Sequence, residues 1–280
     1  MCARGQPFVR RAFDIALGAG DLTYASFCCN HLITNLIASG EALADTQREA
    51  EKSLDFVRKA KFGFVTDAII AQLALIRYLR GEKPSFASFN HPDFDESRFE
   101  QYLEEDPNHA IAACWYWIRK LQARFYAEDN ASAIDAASKA QTHLRTSPSF
   151  LEGAEYHFFS ALARAAHYNK SSTAARAEHL EAIVAHHKTI STWAEHCPEN
   201  FENRAALVAG EIARIEGREL EAERLYEEAI RSARKHGFIH NEAIAHELAG
   251  RFYAARGFEI IADTYLRNAR SCYVRWGGRR

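Results

Sequence analysis

Histidine and cysteine are the residues of this chain whose types invite a chemical reading: it carries thirteen of the first and six of the second. A carboxylate-bridged di-metal site on helices repeats Glu-x-x-His on facing helices, and no histidine here has a glutamate three residues before it. His246-Glu247 opens like a zinc-protease helix but is followed by Leu248-Ala249-Gly250, so the second histidine ligand is missing. His186 and His187 are neighbours, which on a helix points their rings about 100° apart. Cys2, Cys28, Cys29, Cys114, Cys197 and Cys272 form no Cys-x-x-Cys pair, as neither a zinc site nor a small disulfide scaffold would have it. Glu195, His196 and Cys197 stand side by side just before Pro198 and read as a helix end. The chain has no phosphate-binding glycine loop, dinucleotide fingerprint or nucleophile elbow. These residues predict a protein that is not an enzyme, holding no metal and no cofactor.

The frame around them is ordinary in composition. Apolar residues make up 48% and charged residues 26% of 280, values of a folded globular chain. A net charge of −2 offers no overall basic field for nucleic acid. The basic start (Arg4, Arg10, Arg11) precedes no apolar run of signal-peptide kind, and no stretch approaches the roughly 20 apolar residues that span a bilayer. The expectation is a cytoplasmic protein with reduced thiols, free of nucleic acid and membrane.

Apolar residues recur three and four apart almost throughout, the spacing of one helix face, and no segment alternates as a strand does. The pattern predicts an all-α chain of about a dozen helices. They run Pro7 to Leu17, Leu22 to Ser39 capped by Asp21, from about Asp45 to Ala60, and Thr66 to Arg80. A non-helical stretch with two prolines and two phenylalanines follows at Glu82 to Pro92, its rings expected to anchor it. Helices resume at Asp95 to Glu104, Ala110 to Tyr126, Ala131 to Leu144, Phe150 to Tyr168 and Ser171 to His196, with Asn130 expected in the place of a turn glycine. The organisation predicted is one helical-repeat domain over 1–280: N-terminal hairpins over 1–81, an irregular connection over 82–94, middle hairpins over 95–197, and the two clearest repeats over 198–280.

In those two repeats Gly210, Gly217, Ala222, Tyr226 and Ala229 are answered 40 residues later by Gly250, Gly257, Ala262, Leu266 and Ala269. Small residues at a fixed period mark helices in close contact within stacked hairpins. Upstream, Lys61-Phe62-Gly63-Phe64 echoes Lys235-His236-Gly237-Phe238, and Arg124-Phe125-Tyr126-Ala127 echoes Arg251-Phe252-Tyr253-Ala254. Two candidate sites follow. First-helix residues of the last hairpins, Arg204, Leu207, Glu211, Arg214, Glu247 and Arg251, are placed to line a partner-binding groove in which arginines take a carboxylate; a solvated charged face is the competing reading. The aromatic run around Trp115, Ile118 and Phe125 is the second, either an exposed binding patch or packing against the Phe86 to Phe94 loop. It also suggests a small-molecule pocket lined by Trp115.

The period and the small-residue positions resemble the tetratricopeptide repeat, with 40 in place of the usual 34. The segments Cys197-Pro198-Glu199-Asn200-Phe201, Glu211-Ile212-Ala213-Arg214, Leu225-Tyr226-Glu227-Glu228-Ala229-Ile230, Arg251-Phe252-Tyr253 and Tyr273-x-x-Trp276-Gly277 resemble the helical part of very large bacterial signalling proteins. In those a serine/threonine-kinase-like domain and an AAA-type ATPase module precede the array, and a GAF domain and sensor histidine kinase follow it. The resemblance implies a tetratricopeptide-like superhelical array of antiparallel hairpins. As function it implies a non-catalytic interaction and signal-coupling module, with effector sensing as the alternative. Its partners would be a protein segment, adjacent ATPase or kinase domains, or a second copy through the array ends. None of the catalytic modules of those proteins lies in this chain. It is expected to be an excised piece, a separate short reading frame or a degraded gene.

Overall fold

The computed structural model describes residues 2–82 and 88–278, with side chains from residue 5 onward. Thirteen α-helices and three single 3₁₀ turns account for nearly all of the described residues, and the only ladder pairing among them is an isolated bridge between His91 and Phe94. The chain is all-α. In order the helices are α1 (Cys2–Gly18), α2 (Leu22–Ser39), α3 (Leu43–Lys59), α4 (Gly63–Leu79), α5 (Glu96–Glu105), α6 (Ala110–Tyr126), α7 (Asn130–His143), α8 (Leu151–His167), α9 (Thr173–His196), α10 (Pro198–Ile215), α11 (Glu219–His236), α12 (Ile239–Ala255) and α13 (Glu259–Trp276). Turns of two to a few residues join most neighbours and fold them back on each other, as short helix–helix connections must. No described helix is long and apolar enough to cross a membrane.

One turn design recurs. A helix ends, one residue takes the left-handed conformation, and the next is the N-cap residue of the following helix, as at Gly20, Gly217, Gly237 and Gly257. At Lys61 (φ 56°) and Glu128 (φ 61°) a side-chain-bearing residue holds that position, at a conformational cost that glycine avoids. This corrects two expectations. Asn130 is not the left-handed residue but opens α7, with Asp129 capping Ser132 N–H. The two sequence echoes are also out of register by two residues: Lys61-Phe62, not Gly63-Phe64, is equivalent to Gly237-Phe238, and Tyr126 ends α6 where Ala255, not Tyr253, ends α12.

The chain divides into two compact units, 1–156 and 157–280, with the boundary inside α8. In the first unit α6 is the centre, lying against α4 and α7 with α5 beside it, and nearly every one of its side chains is buried. A polar network is sealed inside this unit. Glu152 accepts from Thr34 Oγ1 at 2.7 Å and pairs with Arg119 at 3.1 Å, Gln72 donates to Thr34 and Asn30, and Gln122 joins Arg119 to Glu155. These side chains tie α2, α4, α6 and the start of α8 together. After the 83–87 segment, which lies outside the described residues along with Phe86, the connection is anchored as expected. Glu96 accepts from Ser88 Oγ and Phe89 N–H, and Phe89 packs edge-on to Tyr78 and Tyr116.

In the second unit the paired hairpins α10/α11 and α12/α13 show what the 40-residue period encodes. A Cβ on Gly210 would stand 3.3 Å from the Tyr226 ring, and one on Gly250 would stand 2.9 Å from Leu266 and 3.3 Å from the Ala262 carbonyl. Ala222, Ala229, Ala262 and Ala269 are buried at the same seams. The small residues sit where the two helices of each hairpin come close enough that an added methyl group would crowd the facing side chain.

Candidate functional site: an aromatic cavity beside Trp115

Trp115 leads to a large apolar space in the first unit. It is 3% exposed, yet one side of its ring borders a cavity of about 850 Å³. Six segments supply the walls. On α2, Tyr24, Phe27, Cys28 and His31 fall at i, i+3, i+4 and i+7, one continuous stripe. Ile111 and Trp115 are one turn apart on α6, Phe64 comes from the first turn of α4, and Phe8, Val9 and Ala12 come from α1. Phe150, just before α8, and Asn108, in the 3₁₀ turn Pro107–His109, complete it.

The rings are held in place rather than free to collapse inward. Trp115 Nε1–H donates to buried Ser147 Oγ at 2.9 Å. Phe150 packs edge-on to Trp115 at 5.2 Å and lies parallel to His31 at 5.8 Å, while Phe64 leans on Trp115 at 5.4 Å. Such offset and edge-to-face pairs are the favoured geometries of aromatic rings. One turn beyond the wall on each helix the sealed network begins: Thr34 after His31 on α2 and Arg119 after Trp115 on α6. Phe8 and Tyr24, 75% and 67% exposed, form the mouth. Partial burial pushes the Cys28 thiol up, away from the reactive thiolate.

The predicted aromatic patch is corrected by this arrangement. Trp115, Ile118 and Phe125 are all buried, and the rest of the run, Tyr116, Trp117 and Tyr126, is buried with them. Every ring of the run is buried, so none is left as an exposed hot spot. Packing against the 82–94 connection is what Tyr116 does, through Phe89 and through Phe99 of α5.

The predicted groove residues lie together on α10 and α12, where Arg204, Leu207, Glu211 and Glu247 are buried and Arg214 and Arg251 half-buried. Arg204 is buried with its guanidinium 5.2 Å over the Phe158 ring, and Leu207 is buried. Glu211 is 3% exposed; it accepts from Arg214 at 2.7 Å and from the Tyr226 hydroxyl at 2.5 Å, and Arg214 also donates to the Ala165 carbonyl. Beside that carboxylate the Arg214 guanidinium is held more firmly protonated than usual. Glu247 accepts from Arg251 at 2.5 Å and from the Tyr273 hydroxyl at 2.7 Å. Each carboxylate is thus held by an arginine one turn on and by a tyrosine of the hairpin's second helix.

The histidines show no converging ligand set: among the described residues no three of His, Cys, Asp or Glu are placed to hold a metal ion. His157 and His186 meet Nδ1 to Nδ1 at 2.9 Å with Trp193 against His157. Burial lowers them to about 4 and about 3, respectively. Cys197 closes α9 and precedes α10, with Pro198 in the first turn of the latter. No known family model matches the chain, and no curated protein matches it.

Sequence reasoning reached Trp115 but missed Phe8, Tyr24, Phe27, His31, Phe64 and Phe150. The signal available was the aromatic stripe Tyr24, Phe27, His31, which reads equally as core. Only the exposure of its first ring separates the two.

Proposed function

We propose that this chain is a non-catalytic binding module whose site is the aromatic cavity beside Trp115, taking a small molecule. The observation that carries the reading is the cavity itself: about 850 Å³ with seven aromatic or imidazole rings in its wall, within the size range of small-molecule sites and with their apolar lining and few polar groups. The pairing of Glu211 with Arg214 and of Glu247 with Arg251 weighs against the alternative, capture of a protein segment through the α10 and α12 charges. A role in coupling ligand binding to neighbouring signalling domains is supported by the resemblance of the 197–277 segments alone.

The test is a small-molecule library screened by melting shift against the chain and against Ala12→Trp, which places an indole in the cavity from an exposed position on α1. Hits that stabilise the chain and lose their effect in Ala12→Trp support the reading. Hits whose effect survives that substitution refute it.

A further inference from the structure

The lining of the cavity is chemically one-sided. No Asp, Glu, Lys or Arg contributes to its wall, although such residues make up about a quarter of the chain. A charged ligand would therefore give up its hydration without gaining a counter-charge, a cost that cavities of this kind do not repay. The π-faces and ring edges of Phe27, Phe64, Trp115 and Phe150 offer instead the stacking and edge contacts that planar rings recognise. The Trp115 N–H is already committed to Ser147, so the indole contributes carbon surface only. The imidazole in the wall remains open: among the described residues nothing hydrogen-bonds to the ring nitrogens of His31, whose one face is stacked on Phe150, whereas the Asn108 side chain is engaged by the Asp106 carboxylate.

We infer, resting on the small-molecule reading above, that the ligand is an uncharged molecule built on a planar aromatic ring system with one or two hydrogen-bonding groups, such as a hydroxyl or carbonyl. The rings fill the space between α2, α4 and α6, and a polar substituent meets His31.

A series of probes that share one ring and differ in charge isolates this claim. Naphthylmethanol, naphthoate and naphthylmethylammonium are titrated calorimetrically into the full chain at neutral pH, and into Ala12→Trp and Tyr24→Ala. The substitutions sit at exposed positions, so both variants are expected to fold, which circular dichroism checks. The expected result is that naphthylmethanol binds at least about tenfold more tightly than either ion, the factor that ~1.4 kcal/mol of uncompensated desolvation produces. Ala12→Trp removes that binding and Tyr24→Ala weakens it several-fold. An ion that binds as tightly as the alcohol, with the same sensitivity to Ala12→Trp, overturns the uncharged class while leaving the site in place. Binding of no probe, or binding unaffected by Ala12→Trp, overturns both this inference and the small-molecule reading.

Discussion

Replacing Glu152 by glutamine removes one negative charge and almost no volume from the sealed network behind the cavity. The carboxylate lies 3.1 Å from the Arg119 guanidinium, with both side chains 1% exposed. At that separation two unit charges attract by about 5 kcal/mol for an effective dielectric constant near 20. Their desolvation offsets most of this while the pair is intact, but removing one partner leaves the other charge buried and uncompensated, a loss of roughly 3–5 kcal/mol. Glutamine keeps an acceptor for Thr34 Oγ1, which places the expected loss near ~3 kcal/mol. Urea unfolding, followed by circular dichroism and tryptophan fluorescence, measures it. The combined Arg119→Met, Glu152→Leu variant removes both charges together and is expected to cost less than the sum of Arg119→Met and Glu152→Leu made singly, giving a coupling of about 2 kcal/mol in that double-mutant cycle. A loss below about 1 kcal/mol for the single substitution, or additive effects in the pair, would refute the argument that this ion pair is compensated only by itself.

Two further outcomes concern the second unit. His240 is buried and stacked 5.4 Å from Trp276, and burial, with the Arg204 charge second, lowers its pKa to about 3. The unfolded chain, with histidine near ~6.5, therefore binds a proton between about pH 6.5 and about 3 that the folded chain refuses. Stability rises with pH across that window and falls on acidification, by ~2 kcal/mol from this residue at about pH 5. His157 and His186 act in the same direction. Melting temperatures measured from about pH 7 down to about pH 5 should drop, and His240→Phe should flatten the slope; an unchanged slope contradicts the assignment. Arg214→Ala, which leaves the buried Glu211 carboxylate with Tyr226 alone, should lower stability by about 2–3 kcal/mol in urea. A folded variant of unchanged stability would return Arg214 to the role of a free groove arginine.

What was legible in the sequence is what repeats. Gly210 and Gly250 mark their close approaches because an added Cβ would crowd Tyr226 or Leu266, and such a requirement writes the same residue at the same period. The upstream repeats were harder to register because Lys61 and Glu128 occupy the left-handed turn position, so the nearest glycine or asparagine misleads by two residues. Burial of charge was not legible at all. Whether Glu211 and Arg214 face a groove or each other depends on the hydroxyl of Tyr226 arriving from the second helix of the hairpin, fifteen residues away and silent as a motif. The cavity was half legible. Trp115 stood out by type, but its partners come from five other segments spread over Phe8 to Phe150, and nothing local distinguishes a ring that lines a cavity from one that fills a core.

The measurement that bears most directly on the cavity as the binding site is fluorine NMR of the full chain carrying 5-fluorotryptophan, titrated with naphthylmethanol. The chain has four tryptophans, and Trp115→Phe identifies the resonance of interest. A shift of the Trp115 signal that saturates, with those of Trp193 and Trp276 unmoved, is the predicted result. A Trp115 signal that stays in place up to the solubility limit of the probe would contradict the account.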